Sequence, residues 1–214
     1  MTPPARDARP QTTCFEKRRR SMLIYSLSFA AAIVAVFVII VALKSPRFRI
    51  ARTATMSAPA SAVFEQVNDF HNWQAWSPWA KRDPDMKQRY EGAAAGTGAT
   101  YRWSGNRQVG EGAMTITESR PGERVNIRLE FLKPYAASNT AEFTFTPAGD
   151  RTAVTWSMEG NSGFACRAFC MFMNMDKMVG ADFEKGLAAM KSIVEARPAE
   201  RPEAKRQLAA VMGE

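Results

Sequence analysis

From Ser21 to Leu43 the chain runs through 23 consecutive residues without a charged side chain, most of them large aliphatics, Phe or Ala. As a helix rising 1.5 Å per residue, that run reaches about 34 Å, enough for a bilayer hydrocarbon core of about 30 Å. It predicts a transmembrane helix. A cleaved signal peptide is the rival, but its apolar part normally covers about 7–15 residues and ends at a small-residue site. Here the run ends in Val41-Ala42-Leu43-Lys44 with no Ala-x-Ala pattern, so an uncleaved anchor fits better.

Beyond the anchor the pattern changes to period two. Phe48, Ile50, Arg52, Ala54 and Met56 alternate with Arg49, Ala51, Thr53 and Thr55, which predicts a first strand. Ser57-Ala58-Pro59 then opens a short helix with Ala62, Val63, Phe64 and Val67 as its apolar residues. A Trp-rich segment follows, Asn72 to Trp79, in which Pro78 stops any helix. Residues 86–159 read as strands. Ala99, Tyr101 and Trp103 share a face, as do Met114 and Ile116, then Val125, Ile127, Leu129 and Phe131. Ala141, Phe143 and Phe145 follow, and last Val154, Trp156 and Met158. Gly105-Asn106, Pro121-Gly122, Lys133-Pro134 and Gly149-Asp150 mark the turns. Clean alternation means one wet face and one apolar face, as in antiparallel sheets.

One long helix, from about Met171 to Ala196, is available to cover the apolar face. At 100° per residue, Phe172, Val179, Leu187, Met190 and Val194 lie within about 40° of Phe183. Gly180 and Gly186 border that stripe. Each costs about 1 kcal/mol in a helix interior, so close approach to another surface, or room beneath the helix, is expected at both. The order predicts an α+β fold: a curved antiparallel sheet of about seven strands around a long C-terminal helix, with two short helices after strand 1 and one transmembrane helix in front. The expected parts are a disordered basic leader (1–20), the span (21–43), the domain (44–196) and a flexible charged tail (197–214).

Charge narrows the partners. The net charge of +8 belongs to residues 1–52, with ten Lys/Arg against Asp7 and Glu16; the rest holds 19 of each sign. The basic excess flanks the span and suits anionic headgroups. The neutral domain gives no support for nucleic-acid binding. Six Lys/Arg precede the span and four follow it, which favours a cytoplasmic N-terminus, a domain outside, and single-pass membrane localisation.

Candidate chemistry is sparse. Trp73, Trp76 and Trp79 either gate a cavity mouth or plug one end of the core. Trp103, Phe131, Phe143, Trp156 and Met158, with Tyr101 and Phe183, should line any space under the helix. Asp176 falls inside the helix's apolar stripe, where a carboxylate costs several kcal/mol unless it is paired or caps the helix. It is a polar anchor in the cavity, or else Asn174 or Asp176 caps a helix that starts near Lys177. His71, the sole histidine, sits in the loop before the Trp cluster and reads as a surface residue. The stretch EGAAAGTG from Glu91 to Gly98 lacks a phosphate-loop context and reads as a connector or a flap over a cavity mouth. Cys166 and Cys170 read as small buried residues. One histidine leaves a zinc site short of ligands. No nucleophile constellation, metal site or cofactor motif is expected.

The Ala58-Pro59…Val63-Phe64 start, NWQAWSPW (72–79), GTGATYRW (96–103), GNRQVGEGAMTI (105–116), AVTWSMEG (153–160) and MDKMVGADFEKGLAAMK (175–191) together resemble the helix-grip superfamily. That superfamily, often called SRPBCC, includes START lipid-transfer domains. The likeness is to the bacterial polyketide cyclase/dehydrase and lipid transport group with an N-terminal membrane anchor, placing the chain in the bacterial inner membrane. It covers roughly Phe48 to Glu195. It implies an apolar cavity between sheet and helix that holds a hydrophobic small molecule or lipid. It does not imply an enzyme. A cyclase or dehydratase would need convergent polar groups, for which Asp176, Tyr101 and Tyr135 are the candidates. A protein-interaction module with a filled cavity is the third possibility.

Overall fold

The computed structural model describes residues 12–196, with side chains from Arg18 onward. The chain divides into two compact units between Ser45 and Pro46. Residues 1–11 and 197–214, which hold much of the expected leader and all of the expected tail, lie outside the described residues.

The first unit contains α1 (Thr12–Leu43). It starts at Thr12, not at the first charge-free residue Ser21, because Lys17–Arg20 are good helix formers and no Gly or Pro intervenes. Its stretch Arg18–Leu43 is long and apolar enough to cross a membrane. Large side chains along it, such as Leu27, Phe29 and Ile33, stand exposed.

The second unit is a helix-grip fold. Seven antiparallel strands form one sheet in the order β1-β7-β6-β5-β4-β3-β2. They are β1 (Arg47–Met56), β2 (Lys87–Gly92), β3 (Ala99–Ser104), β4 (Glu111–Arg120), β5 (Arg124–Lys133), β6 (Ala137–Ala148) and β7 (Arg151–Asn161). The alternating residues face inward as the period-two pattern predicts: Ile50, Val125, Ile127, Phe143 and Val154 are all buried. Register shifts in the β4–β5 pairing at Glu111/Gly112 and Ile116/Glu118 bend the sheet.

Two short helices follow β1. They are α2 (Ala60–Asn68) and, after a 3-10 turn at Phe70–Asn72, α3 (Trp73–Trp76). They stop one end of the curved sheet. The indole Nε1 of Trp73 donates to the Val67 carbonyl and that of Trp76 to the Gln66 carbonyl, both at 3.0 Å. A cluster this large buries much apolar area, and the two bonds satisfy its polar edges.

The C-terminal region departs from the expected single helix. A short α4 (Phe164–Phe169) precedes α5 (Met175–Ala196). The Asn174 side chain accepts from the Lys177 amide at 3.0 Å and so begins α5 there. Phe172, expected in the buried stripe, consequently falls in the connection and is 80% exposed. Of the rest of the stripe, Phe183, Leu187, Met190 and Val194 are buried against the sheet and Val179 is half-buried. α5 runs along β1, from Arg52 beside Asp176 to Ser57 beside Glu195. Covering that edge leaves the far half of the concave face without a helix directly over it.

Candidate functional site

That arrangement leaves a cavity of about 680 Å³ between α5 and the sheet. Tyr101 and Trp103 of β3, Phe131 of β5, and Trp156 and Met158 of β7 line it from the sheet. Phe183 of α5 lines it from above, and Trp73 and Trp79 add aromatic wall. The rings support one another. Trp156 stacks on Phe183 at 4.1 Å and 9°, and Trp79 meets both edge-on. Apolar residues predominate in a pocket of this kind, and a few polar groups orient what it holds.

Three expected lining residues do not reach the space. Trp76 is buried behind Trp73, 4.5 Å centroid to centroid, and plugs the α2 end of the core. Phe143 is fully buried beneath that plug, stacked on Trp156 at 4.8 Å. Asp176 lies at the start of α5 over β1, where Arg52 reaches across to it. Arg52 donates to both carboxylate oxygens, at 3.1 and 3.0 Å, and to the Asp176 carbonyl. The hydrogen bond and charge of Arg52 hold the Asp176 carboxyl below its ordinary range. It is therefore neither a cavity anchor nor the cap, which is Asn174.

Polar groups at the cavity come instead from residues that periodicity did not single out. Ser77, Arg82, Gln108, Asp182 and Lys185 all touch it. Arg82 donates to Asp182 Oδ1 at 2.6 Å, and Lys185 Nζ stands 3.9 Å from the same oxygen. Asp182 is only 8% exposed, so this pair joins the loop after α3 to α5 at the cavity's edge. One signal was present in the sequence: Asp182 stands one helical turn before Gly186, on the border of the apolar stripe. Nothing in the pattern marked Arg82. Two donors bear on chemistry. Burial pushes the Tyr101 hydroxyl up to about 12, so it stays protonated at neutral pH. The indole N–H of Trp156 is buried and lacks a partner among the described residues.

The remaining candidates lie elsewhere. His71 is exposed, stacked on Tyr90 at 4.0 Å with Nδ1 2.7 Å from Asp69 Oδ1. Tyr135, 83% exposed in the β5–β6 connection, is outside the cavity. The Gly-rich stretch is a connector at the plugged end, tied by Gly96 N to Asn68 O and Gly98 N to Ile116 O, both 2.9 Å. Gly92 there has φ +76° and room for no side chain against the Gly98 carbonyl. Cys166 and Cys170 are half-buried with Sγ atoms 3.9 Å apart.

A family described as Polyketide cyclase / dehydrase and lipid transport matches residues 47–195, which is the whole sheet with all five helical elements that follow α1. The chain belongs to this family. Solved structures agree on the helix-grip fold at low identity. A protein from Mesorhizobium loti superposes with TM-score 0.53 at 12% identity, covering 71% of this chain and 99% of that one. A protein from Chromobacterium violaceum gives 0.50 at 17%, covering 69% and 97%. The di-domain ARO/CYC StfQ from the steffimycin biosynthetic pathway gives 0.53 at 12%, with this chain spanning 51% of it. No curated protein matches the chain significantly in sequence. In this member of the polyketide cyclase/dehydrase and lipid transport family, the Arg82–Asp182 pair stands beside the cavity and an apolar helix precedes the domain.

Proposed function

We infer that this protein is a membrane-anchored binding domain that sequesters a hydrophobic small molecule or lipid. The observation that carries the reading is the aromatic-walled cavity of about 680 Å³ beneath α5. Apolar burial at about 25 cal/mol per Å² supplies the affinity. Arg82 and Ser77 supply orientation. α1, as an uncleaved span with its N-terminus in the cytoplasm, keeps the pocket beside the bilayer, where apolar ligands concentrate. Catalysis by a cyclase or dehydratase route has less support. Asp176 is committed to Arg52 and Tyr135 is remote, which leaves Tyr101 alone of the three candidates at the cavity.

The test compares the full chain with an Ala181→Phe variant, which fills part of the cavity from α5. Both are purified in detergent, extracted with organic solvent and analysed by mass spectrometry. A small molecule or lipid present at near-stoichiometric amounts in the parent and depleted in the variant supports the reading. Equal lipid content in the two overturns it, because the lipid would then come from the span alone.

A further inference from the structure

Every exposed large apolar side chain described in the domain lies at one end of the sheet. They are Leu132 at the end of β5, Tyr135 in the β5–β6 connection, Phe164 and Phe169 in α4, Phe172 and Met173 in the connection that follows, and Met178 at the start of α5. The register places them together. Arg47, the first residue of β1, pairs with Asn161, the last of β7. Asn139 near the start of β6 pairs with Gly160, and Ala137 pairs with Phe131 near the end of β5. The Ser162 amide donates to the Pro46 carbonyl at 2.6 Å, two residues before α4 begins. Seven large apolar side chains at one end, with none at the plugged end, form the kind of patch that marks an interaction surface.

Two further observations say what covers it. Only Lys44, Ser45 and Pro46 separate α1 from β1. Four extended Cα steps reach at most about 14 Å, so the first residue of β1 cannot lie farther than that from the end of the apolar helix. The same stretch carries Lys44, Arg47 and Arg49 and no acidic residue, and all three are exposed. The cavity extends towards this end as well: Trp103, Gln108, Val109, Phe131, Met158 and Met178 line it.

We propose that this end of the domain docks on the surface of an anionic bilayer, with Phe164, Phe169, Phe172 and Tyr135 seated among the headgroups and acyl boundary. Aromatic and apolar groups rimmed by Lys and Arg are the composition that binds such an interface. The proposal rests on the anchored, ligand-holding reading above and deepens it. The cavity mouth then faces the lipid phase, and an apolar ligand passes between the two without crossing water.

Proteoliposomes of phosphatidylcholine and phosphatidylglycerol, doped with a phospholipid bearing a diazirine in its acyl chain, test it on the unaltered full chain. After irradiation, peptide mapping should find adducts in α1, in residues 132–135 and in 164–173, and none in the β6–β7 turn at 148–151. A Phe164→Ser/Phe169→Ser/Phe172→Ser variant should lose the adducts in 164–173 and keep those in α1. Adducts confined to α1, or equal labelling at 148–151, overturn docking. The extraction experiment reads the cavity and this one reads the rim, so the two readings fail separately.

Discussion

The guanidinium of Arg52 occupies the space where a side chain at Gly180 would stand: a Cβ there would run into Arg52 Nη2. From that position Arg52 donates to Asp176, and through Nε to Glu184 Oε1 at 2.7 Å. The glycine in the helix is therefore the seat of a strand-to-helix brace. By propensity alone Gly180→Ala should stabilise α5 by about 1 kcal/mol. Here the methyl displaces Arg52 and opens the brace, so a net fall in melting temperature is expected, measured by circular dichroism. A rise would mean that Arg52 finds an equivalent position.

The same brace has an acid limb. Arg52 lowers the Asp176 pKa from 3.8, so the folded state holds its proton less tightly than the unfolded chain does. The stability it contributes is present above the unfolded value and disappears as pH falls through the folded one. Asp176→Asn should be slightly less stable than the parent at neutral pH, with the gap closing between about pH 5 and pH 2. Ligand content on extraction should not change. Normal stability with lost ligand would restore the carboxylate to the cavity.

How much was legible follows from range. Alternation in β5 and β7 names inward residues because it is a property of each strand alone. The start of α5 near Lys177 was legible as one of two readings, with Asn174 or Asp176 as its cap; the separate α4 before it was not. Residues 164–173 hold no Gly or Pro to mark where α4 ends, and the start of α5 depends on one side chain, Asn174, accepting from the Lys177 amide. Phe143 and Trp156 share a sheet face, yet only Trp156 meets open space. The difference is set by where the Trp73–Trp76 cluster comes to rest, which no local period encodes. Arg82 is invisible for the same reason, since its partner is 100 residues away.

That long-range pair should behave as a unit. Arg82→Met leaves the Asp182 carboxylate largely enclosed without its strong donor. A fully buried pair would cost about 3–5 kcal/mol, but Arg82 is partly exposed and Lys185 is near, so about 1–3 kcal/mol is expected. Adding Asp182→Leu removes the orphaned charge and should recover much of the loss. Denaturant unfolding of the two single variants and the double variant reads the coupling. Strictly additive losses would show that the two groups act independently.

Gln66 offers the opposite test, a gain. It is buried in α2, and its side-chain Nε2 has no partner among the described residues. An enclosed donor without an acceptor costs about 1–3 kcal/mol. The Trp76 indole uses the Gln66 backbone carbonyl, not its side chain, so the Trp cluster does not depend on the amide. Met matches Gln in length, is flexible enough to fill the same volume, and places no polar atom there that demands a partner. Gln66→Met should therefore stabilise the domain by about 1 kcal/mol, raising the melting temperature by about 2–4 °C for a unit of this size. A fall of similar size would mean that the amide is bonded, through an enclosed water bridging it to the core.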